Sequence, residues 1–229
     1  MLRQRLEQVR ERIQQACRRA DRNPSTVTLI GVTKGVPVEV IEEAVGLGLD
    51  EIGENRVQEA QEKYTHLAPR HPGLRWHFIG HLQRNKAKTA VQLFEMIHSV
   101  DSVVLIQALE AQAAQRLAST PLQVLIQVNV ASEPTKHGCR SEETNGLAHA
   151  IRQAPHLHLA GLMTLAPYAD DPEAARPIFR RLRQLRDQLQ AQHAGSLLLS
   201  MGMSNDFAVA VEEGADLVRI GTAIFGTRA

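Results

Sequence analysis

The sequence has few features that mark a secreted, membrane-spanning or nucleic-acid-binding protein. Its two cysteines, Cys17 and Cys139, lie far apart and form no Cys-x-x-Cys pair, which argues against a disulfide framework or a zinc ribbon. No apolar run approaches the roughly 18–20 residues of a transmembrane helix, and charges occupy the place where a signal peptide has its apolar core. The 26 lysines and arginines nearly balance the 25 aspartates and glutamates. A protein that binds nucleic acid by neutralising many backbone phosphates usually has a clear excess of basic residues, and this chain has none. We therefore expect a cytoplasmic protein with no nucleic-acid or membrane partner.

The chain has enough apolar material for one sizeable core, since 43% of its 229 residues are hydrophobic, although only 3% are aromatic. An apolar stripe spaced by three or four residues predicts an N-terminal helix ending near Asp21. Beyond it, strand-like and helix-like segments alternate. Strands are predicted at 26–32, 50–53, 75–79, 96–100, 123–130, 157–165, 196–200 and 216–220. Helices are predicted at 38–47, 57–67, 86–93, 103–117, 142–153, 174–192 and 206–213.

This alternation predicts an α/β protein built as a single (β/α)8 barrel of the TIM type over residues 1–229. Eight strand–helix units in roughly 220 residues fit the lower size range of that fold, and the connections are short. A doubly wound open sheet is the alternative. Only nine residues follow Ile220, so we expect the last helix of the ring to be missing and the extra N-terminal helix to cover the gap.

The loops after the last two predicted strands have the composition of an anion site. Phosphate sites in these barrels recur after strands seven and eight, where backbone N–H groups and small residues face the anion. Gly202 and Ser204 follow the seventh strand, and Gly221 and Thr222 follow the eighth. Tight turns and a helix cap would explain either loop alone. Their coincidence at the expected strands favours an anion site.

Lys34 follows the first strand and therefore lies near the same mouth of the barrel. A neutral lysine amine can form a Schiff base with an aldehyde, although an isolated lysine is more simply a surface salt bridge. A lysine opposite a phosphate site makes pyridoxal 5′-phosphate (PLP) the economical ligand, with Arg219 facing its ring nitrogen. Lys136 is a second lysine in these loops. His77 and His81 straddle a strand end, so we predict no metal site there.

Four ordered segments resemble the signatures of the pyridoxal phosphate homeostasis protein family. They are spread from residue 53 to residue 226, and the similarity extends over nearly the whole chain. The segments read GENRVQE at 53–59, WHFIGHLQxNK at 76–86, SMGMSxD at 200–206 and VRIGxxIFG at 218–226. This resemblance implies a fold-type III, alanine-racemase-like barrel that lacks the C-terminal β domain of racemases.

The resemblance also implies site residues. Lys34 corresponds to the lysine that holds PLP as an internal aldimine, and Arg219 to the arginine at the pyridine nitrogen. The remaining positions are implied to bind phosphate or to line the cofactor pocket: Asn55, His77, Met163, Ser200, Ser204, Gly221 and Thr222.

The family's function, by the same resemblance, is to buffer or deliver PLP to apoenzymes and so to maintain vitamin B6 and amino-acid and keto-acid balance, without robust catalysis. The residues support that expectation, because an arginine at the ring nitrogen makes PLP a poorer electron sink and the chain leaves no room for a second domain. The alternative is a small racemase or lyase that uses Lys34 and Tyr168. A monomer is expected, and Lys136 or Lys86 is a candidate for a second PLP.

Overall fold

The computed structural model describes residues 1–116, 120–133, 136–192 and 195–227. Eight parallel strands pair in chain order, and the last pairs back with the first, so the sheet closes into a barrel. The strands are β1 (Thr28–Val32), β2 (Glu51–Glu54), β3 (Arg75–Phe78), β4 (Met96–Val100), β5 (Leu122–Gln127), β6 (Leu157–Met163), β7 (Leu198–Ser200) and β8 (Leu217–Ile220). The predicted barrel is confirmed.

Helices surround the barrel between successive strands. They are α1 (Leu2–Arg19), α2 (Val38–Gly46), α3 (Val57–Leu67), α4 (Ala87–Leu93), α5 (Val103–Ala113), α6 (Thr144–Arg152), α7 (Arg176–Gln190), α8 (Phe207–Glu212) and α9 (Thr222–Phe225). Short 3-10 turns occupy Pro24–Thr26, Arg84–Lys86, Ser141–Glu143 and Pro172–Ala175. Among the described residues, no helix has the length and apolar character needed to cross a membrane.

The N-terminal helix fills the gap in the outer ring, as the sequence predicts. Helix α9 is a single turn, and α1 packs against both α8 and α9. The apolar stripe of α1 is buried, and the guanidinium of Arg12 lies 4.4 Å from the ring centre of Phe207 on α8. Because burying a leucine or isoleucine side chain stabilises a fold by about 1.5–3 kcal/mol, this stripe anchors α1 firmly to the barrel.

Several predicted boundaries are wrong at the ends of elements. Strand β5 stops at Gln127 rather than at residue 130, because the next residues leave the sheet in a turn in which the Asn129 side chain donates to the Glu133 carbonyl oxygen. Strands β6 and β7 are also shorter than predicted, and β1 begins two residues later because residues 24–26 form a 3-10 turn. The predicted 103–117 helix ends at Ala113, and the last predicted residue, 117, lies outside the described residues. On α7, Phe179 is fully buried, and Ile178 is partly buried against the same core.

The barrel interior changes from apolar to polar toward the carboxyl ends of the strands. A buried layer consists of apolar side chains from five strands: Ile30, Met96, Leu125, Ala160, Met163 and Leu217. Side chains alternate between the two faces of a strand, so the next inward position lies two residues further on. On β4 this position is His98 and on β8 it is Arg219, and both are buried. The polar layer therefore lies directly beneath the mouth of the barrel.

Candidate functional site

A cavity of about 550 Å³ opens at the carboxyl ends of the strands, within the size range of small-molecule sites. The loops after β1, β2, β7 and β8 all contribute to its wall. Six of the nine residues predicted for the site line this cavity: Lys34, Asn55, Ser204, Arg219, Gly221 and Thr222.

The other three predicted residues, His77, Met163 and Ser200, are fully buried and do not line the cavity. Met163 belongs to the apolar layer of the barrel, whereas His77 and Ser200 belong to the polar layer between that layer and the cavity. The structure thus separates the predicted set into a wall and the layer that supports it.

The loop that carries Lys34 is held on both sides by a buried lysine, Lys63 of α3. The Nζ atom of Lys63 donates to the carbonyl oxygen of Thr33 at 2.6 Å and to the carboxylates of Glu54 and Glu59 at 2.7 Å each. Glu59 in turn accepts the N–H of Gly35, and Glu54 accepts the hydroxyl of Thr33 at 2.6 Å. The residues before and after Lys34 are therefore fixed by one ion-pair network.

This network is missing from the sequence-based prediction, although one signal points to it. Lys63 lies on the apolar stripe of α3, between Ala60 and Leu67, where a charge is buried when the helix packs. A lysine is almost never fully buried unless it is paired. Burial raises the pKa of the Glu54 carboxyl, and the hydrogen bonds from Lys63 and Thr33 oppose that shift in part.

The loops after β7 and β8 are joined through one hydroxyl. The Oγ atom of Ser204 accepts the N–H of Gly221 at 3.3 Å and the N–H of Ala223 at 3.2 Å. Gly202 has a φ of +94°, and a Cβ there would lie 2.6 Å from the Cβ of Ala210, so this turn requires glycine. Ser204 thus takes up both N–H groups, and the hydroxyls of Ser204 and Thr222 at the cavity wall are donors of the kind that an anion needs.

Arg219 carries a buried positive charge into the cavity. Its guanidinium donates to the Ser200 hydroxyl at 2.5 Å and to the Thr164 carbonyl oxygen at 2.8 Å. Burial lowers the pKa of Arg219 to about 10, and the nearby Asp206 carboxylate opposes that shift, so the side chain is charged at neutral pH. Asp206 itself accepts the N–H of Met203 at 2.6 Å, and burial raises its pKa.

A line of buried polar side chains continues from Arg219 across the barrel. The Ser200 hydroxyl lies 2.8 Å from Nδ1 of His98, and Nε2 of His98 lies 2.9 Å from Nδ1 of His77. Nε2 of His77 is 2.7 Å from Oε2 of Glu51, close in distance although not well aligned for a linear hydrogen bond. Burial, together with the nearby charge of Arg219, lowers the pKa of His98 well below its ordinary value.

Two further lysines and a tyrosine were candidates for the site. Lys136 lines the cavity and pairs with Glu133 at 2.9 Å. Lys86 is exposed in the 3-10 turn Arg84–Lys86 and is not part of the cavity wall. Tyr168 lies at the rim with 81% of its surface exposed, and its hydroxyl makes no hydrogen bond within the described ranges.

Three potential metal ligands, His81, Asp101 and His137, meet near the same rim, with their ligand atoms within 4.8 Å of one another. The two imidazole rings are stacked, 3.9 Å apart and inclined by 9°. Nitrogen lone pairs lie in the plane of the ring, so stacked rings direct them side by side rather than toward one point. In this arrangement the three groups do not form a coordination sphere.

Comparison with known proteins places this fold and site in a defined class. Residues 4–229 match the family described as alanine racemase, N-terminal domain. The alanine racemase of Clostridium difficile 630 has the same fold, with a TM-score of 0.76 at 16% identity; the alignment covers 99% of this chain and 56% of that one.

Full-length relatives define the family more narrowly. The pyridoxal phosphate homeostasis protein of Aquifex aeolicus is 46% identical over 226 residues, which are 98% of this chain and 97% of that protein. That of Escherichia coli strain K12 is 37% identical, covering 97% and 95%. PipY of Synechococcus elongatus PCC7942, solved with PLP bound, superposes with a TM-score of 0.85 at 33% identity, covering 99% and 100%. The chain belongs to the pyridoxal phosphate homeostasis protein family.

Proposed function

We propose that this protein binds PLP and buffers or delivers it, thereby maintaining vitamin B6 and the balance of amino acids and keto acids in the cell. The observation that carries the proposal is the cavity itself, which brings Lys34, the Arg219 guanidinium and the donors around Ser204 to one wall. The names of the full-length relatives, and the PLP bound to PipY, support it.

The side chains of the cavity fit the chemistry of this cofactor. When bound, PLP supplies an aldehyde that reacts with primary amines, and a phosphate that needs N–H and hydroxyl donors. We assign Lys34 Nζ to covalent attachment at the aldehyde. We assign Ser204, Gly221 and Thr222 to the phosphate, and Asn55 to the adjoining wall.

Arg219 favours binding over catalysis. A guanidinium has hydrogen-bond donors and no acceptor. Beside the ring nitrogen it would therefore donate a hydrogen bond to that nitrogen and could accept none from it. The ring nitrogen of a bound cofactor would then stay unprotonated, and the ring would withdraw electrons less strongly from a reacting carbon. We therefore propose a homeostasis role without robust catalysis. In this proposal, His77, Met163 and Ser200 lie beneath the cavity and support its wall.

A racemase or lyase that uses Lys34 and Tyr168 receives less support from the geometry. A catalytic acid–base group needs a defined position within hydrogen-bond reach of the reacting atom. The ring of Tyr168 is largely in solvent, and its hydroxyl has no partner in the described part of the chain. A racemisation assay on wild type and Tyr168→Phe tests this alternative; activity lost in the variant would favour it.

The absorbance spectrum of the PLP-loaded protein tests covalent attachment. We expect a visible band that borohydride abolishes, leaving the cofactor fixed to the chain, in wild type and in Lys136→Ala but not in Lys34→Ala. Lys136 is the matched control because it lines the same cavity. A band that survives in Lys34→Ala and disappears in Lys136→Ala would reassign the lysine, and a wild type that stays colourless with excess PLP would overturn the proposal.

Delivery and cellular setting are proposed on separate grounds. Loaded protein should restore the activity of a PLP-dependent enzyme supplied in its apo form, even when an aldehyde trap removes free PLP. Restoration only without the trap would indicate simple release.

Both cysteines are free and buried, which supports a reducing compartment such as the cytoplasm. Among the described residues, the exposed large apolar side chains are Met1, Val103, Val104 and Tyr168, and this small set supports a monomer.

A further inference from the structure

We propose that His77, His98 and Ser200 form a directional hydrogen-bond relay, with the Glu51 carboxylate close to its far end, and that this relay positions the Arg219 guanidinium at the floor of the cavity. As far as the cofactor is concerned, this inference rests on the proposed function. The relay crosses the barrel from β2 through β3 and β4 to β7 and β8. His77, His98 and Ser200 are fully buried, and the Glu51 side chain is 12% exposed.

The direction of the relay follows from the chemistry of its two ends. Arg219 can only donate, so the Ser200 oxygen accepts its hydrogen bond at 2.5 Å. At the other end, burial acts to raise the pKa of Glu51, but its contacts with His77 and Arg75 outweigh that effect and the net pKa is lowered. Glu51 is therefore an ionised carboxylate, which can only accept.

Between these ends, one arrangement of protons gives the Ser200 hydroxyl and the ring N–H of His98 an acceptor each. The Ser200 hydroxyl donates to Nδ1 of His98, at 2.8 Å. His98 must then carry its proton on Nε2, and it donates to Nδ1 of His77 at 2.9 Å. With Nδ1 as the acceptor, His77 carries its proton on Nε2, which lies 2.7 Å from Oε2 of Glu51 without the alignment of a linear hydrogen bond. Any reversal leaves the Ser200 hydroxyl proton without an acceptor in this line, and burying an unpaired polar group is costly.

The relay holds Arg219 because it controls one of two acceptors. The guanidinium donates to Ser200 on β7 through one nitrogen and to the Thr164 carbonyl, just after β6, through another. Two acceptors on different elements define the plane of a guanidinium, whereas a single acceptor leaves it free to rotate. If His98 did not accept the hydrogen bond from Ser200, the hydroxyl proton could turn toward the Arg219 guanidinium. The hydrogen bond from Arg219 to Ser200 would then be lost. His98 and His77 are thus positioning residues for Arg219.

Ser200→Ala tests the relay with little change in volume. We expect the dissociation constant for PLP to rise about tenfold or more, because hydrogen bonds to charged groups are among the stronger ones. The absorbance maximum of the bound cofactor should also shift, which a merely structural role would not produce. Ser99→Ala is the matched control: Ser99 is equally buried on β4, and its hydroxyl has no partner among the described residues. It should leave both readouts unchanged.

Substitution of His98 provides a second test. His98→Leu should weaken PLP binding and shift the spectrum in the same way as Ser200→Ala. His98→Gln offers one acceptor and one donor, and should recover part of both readouts. Equal effects of the leucine and glutamine variants, or wild-type behaviour in Ser200→Ala, would overturn the positioning role even if wild type binds PLP normally.

Nitrogen-15 NMR of the cofactor-free protein tests the proton arrangement without reference to PLP. In both His77 and His98 the ring proton should be found on Nε2, with Nδ1 as the hydrogen-bond acceptor. A proton on Nδ1 of His98, or a doubly protonated His77, would overturn the proposed direction. This outcome is distinguishable from failure of the proposed function, which would appear as absence of PLP binding by wild type.

Discussion

The protonation of His98 links the site to the stability of the whole fold. The pKa of His98 is lowered well below 6.5, its value in an unstructured chain, because burial and neighbouring positive charge disfavour the imidazolium. A group with a depressed folded-state pKa stabilises the fold above its unfolded pKa, and this contribution is lost as the pH falls toward the folded value. Acidification through the region of pH 6.5 should therefore destabilise the protein, since only the unfolded chain takes up the proton.

The magnitude follows from the unfolded chain alone. Between about pH 7.5 and about pH 5.5, a histidine of ordinary pKa changes from mostly neutral to mostly charged. If the folded state binds no proton over that interval, the free energy of unfolding falls by about 1.4 kcal/mol. The interval lies above the ordinary range of carboxyl groups, so most of them contribute little to the slope.

Denaturant unfolding of wild type and His98→Gln at the two pH values measures this term. Glutamine does not titrate, so wild type should lose about 1.4 kcal/mol more than the variant on acidification, whatever their absolute stabilities. His149→Gln, a change at an exposed position on α6, should retain the wild-type pH dependence. Equal pH dependence in wild type and His98→Gln would mean that folded His98 accepts the proton, and the proton arrangement of the relay would then be wrong.

Two further substitutions test the loops around the cavity. Lys63→Met should cost about 3–5 kcal/mol in denaturant unfolding, because it leaves the buried Glu54 carboxylate without its partner. Lys86→Met, at an exposed position, should be near neutral, and similar losses in the two variants would refute the role of the Lys63 ion-pair network. A Cβ at Gly80 would lie 2.7 Å from Cα of Asn55, so Gly80→Ala should displace that wall and weaken PLP binding in a titration. Gly146→Ala, where nothing lies within 4 Å, should bind as wild type; unchanged binding in both would refute the close approach.

The barrel is determined largely by local pattern. Helix α3 and strand β4 have the predicted bounds, because each is a short segment with definite ends. Lys34 and Arg219 were found for a related reason: in a parallel barrel every strand delivers the residues at its carboxyl end to the same mouth. The order of elements therefore predicts five members of the cavity wall, and the family resemblance adds Asn55.

Tertiary structure decided which polar groups meet inside the barrel. His98 was not singled out, because a strand buried on both faces has no polar side from which to infer the direction of its side chains. Its partners His77 and Ser200 are 21 and 102 residues away in the chain, and they meet only through the register of the closed sheet. The ion-pair network of Lys63 likewise depends on how α3 packs against β2. Sequence determined the scaffold and the mouth, whereas strand register and helix packing determined the buried contacts that orient Lys34 and Arg219.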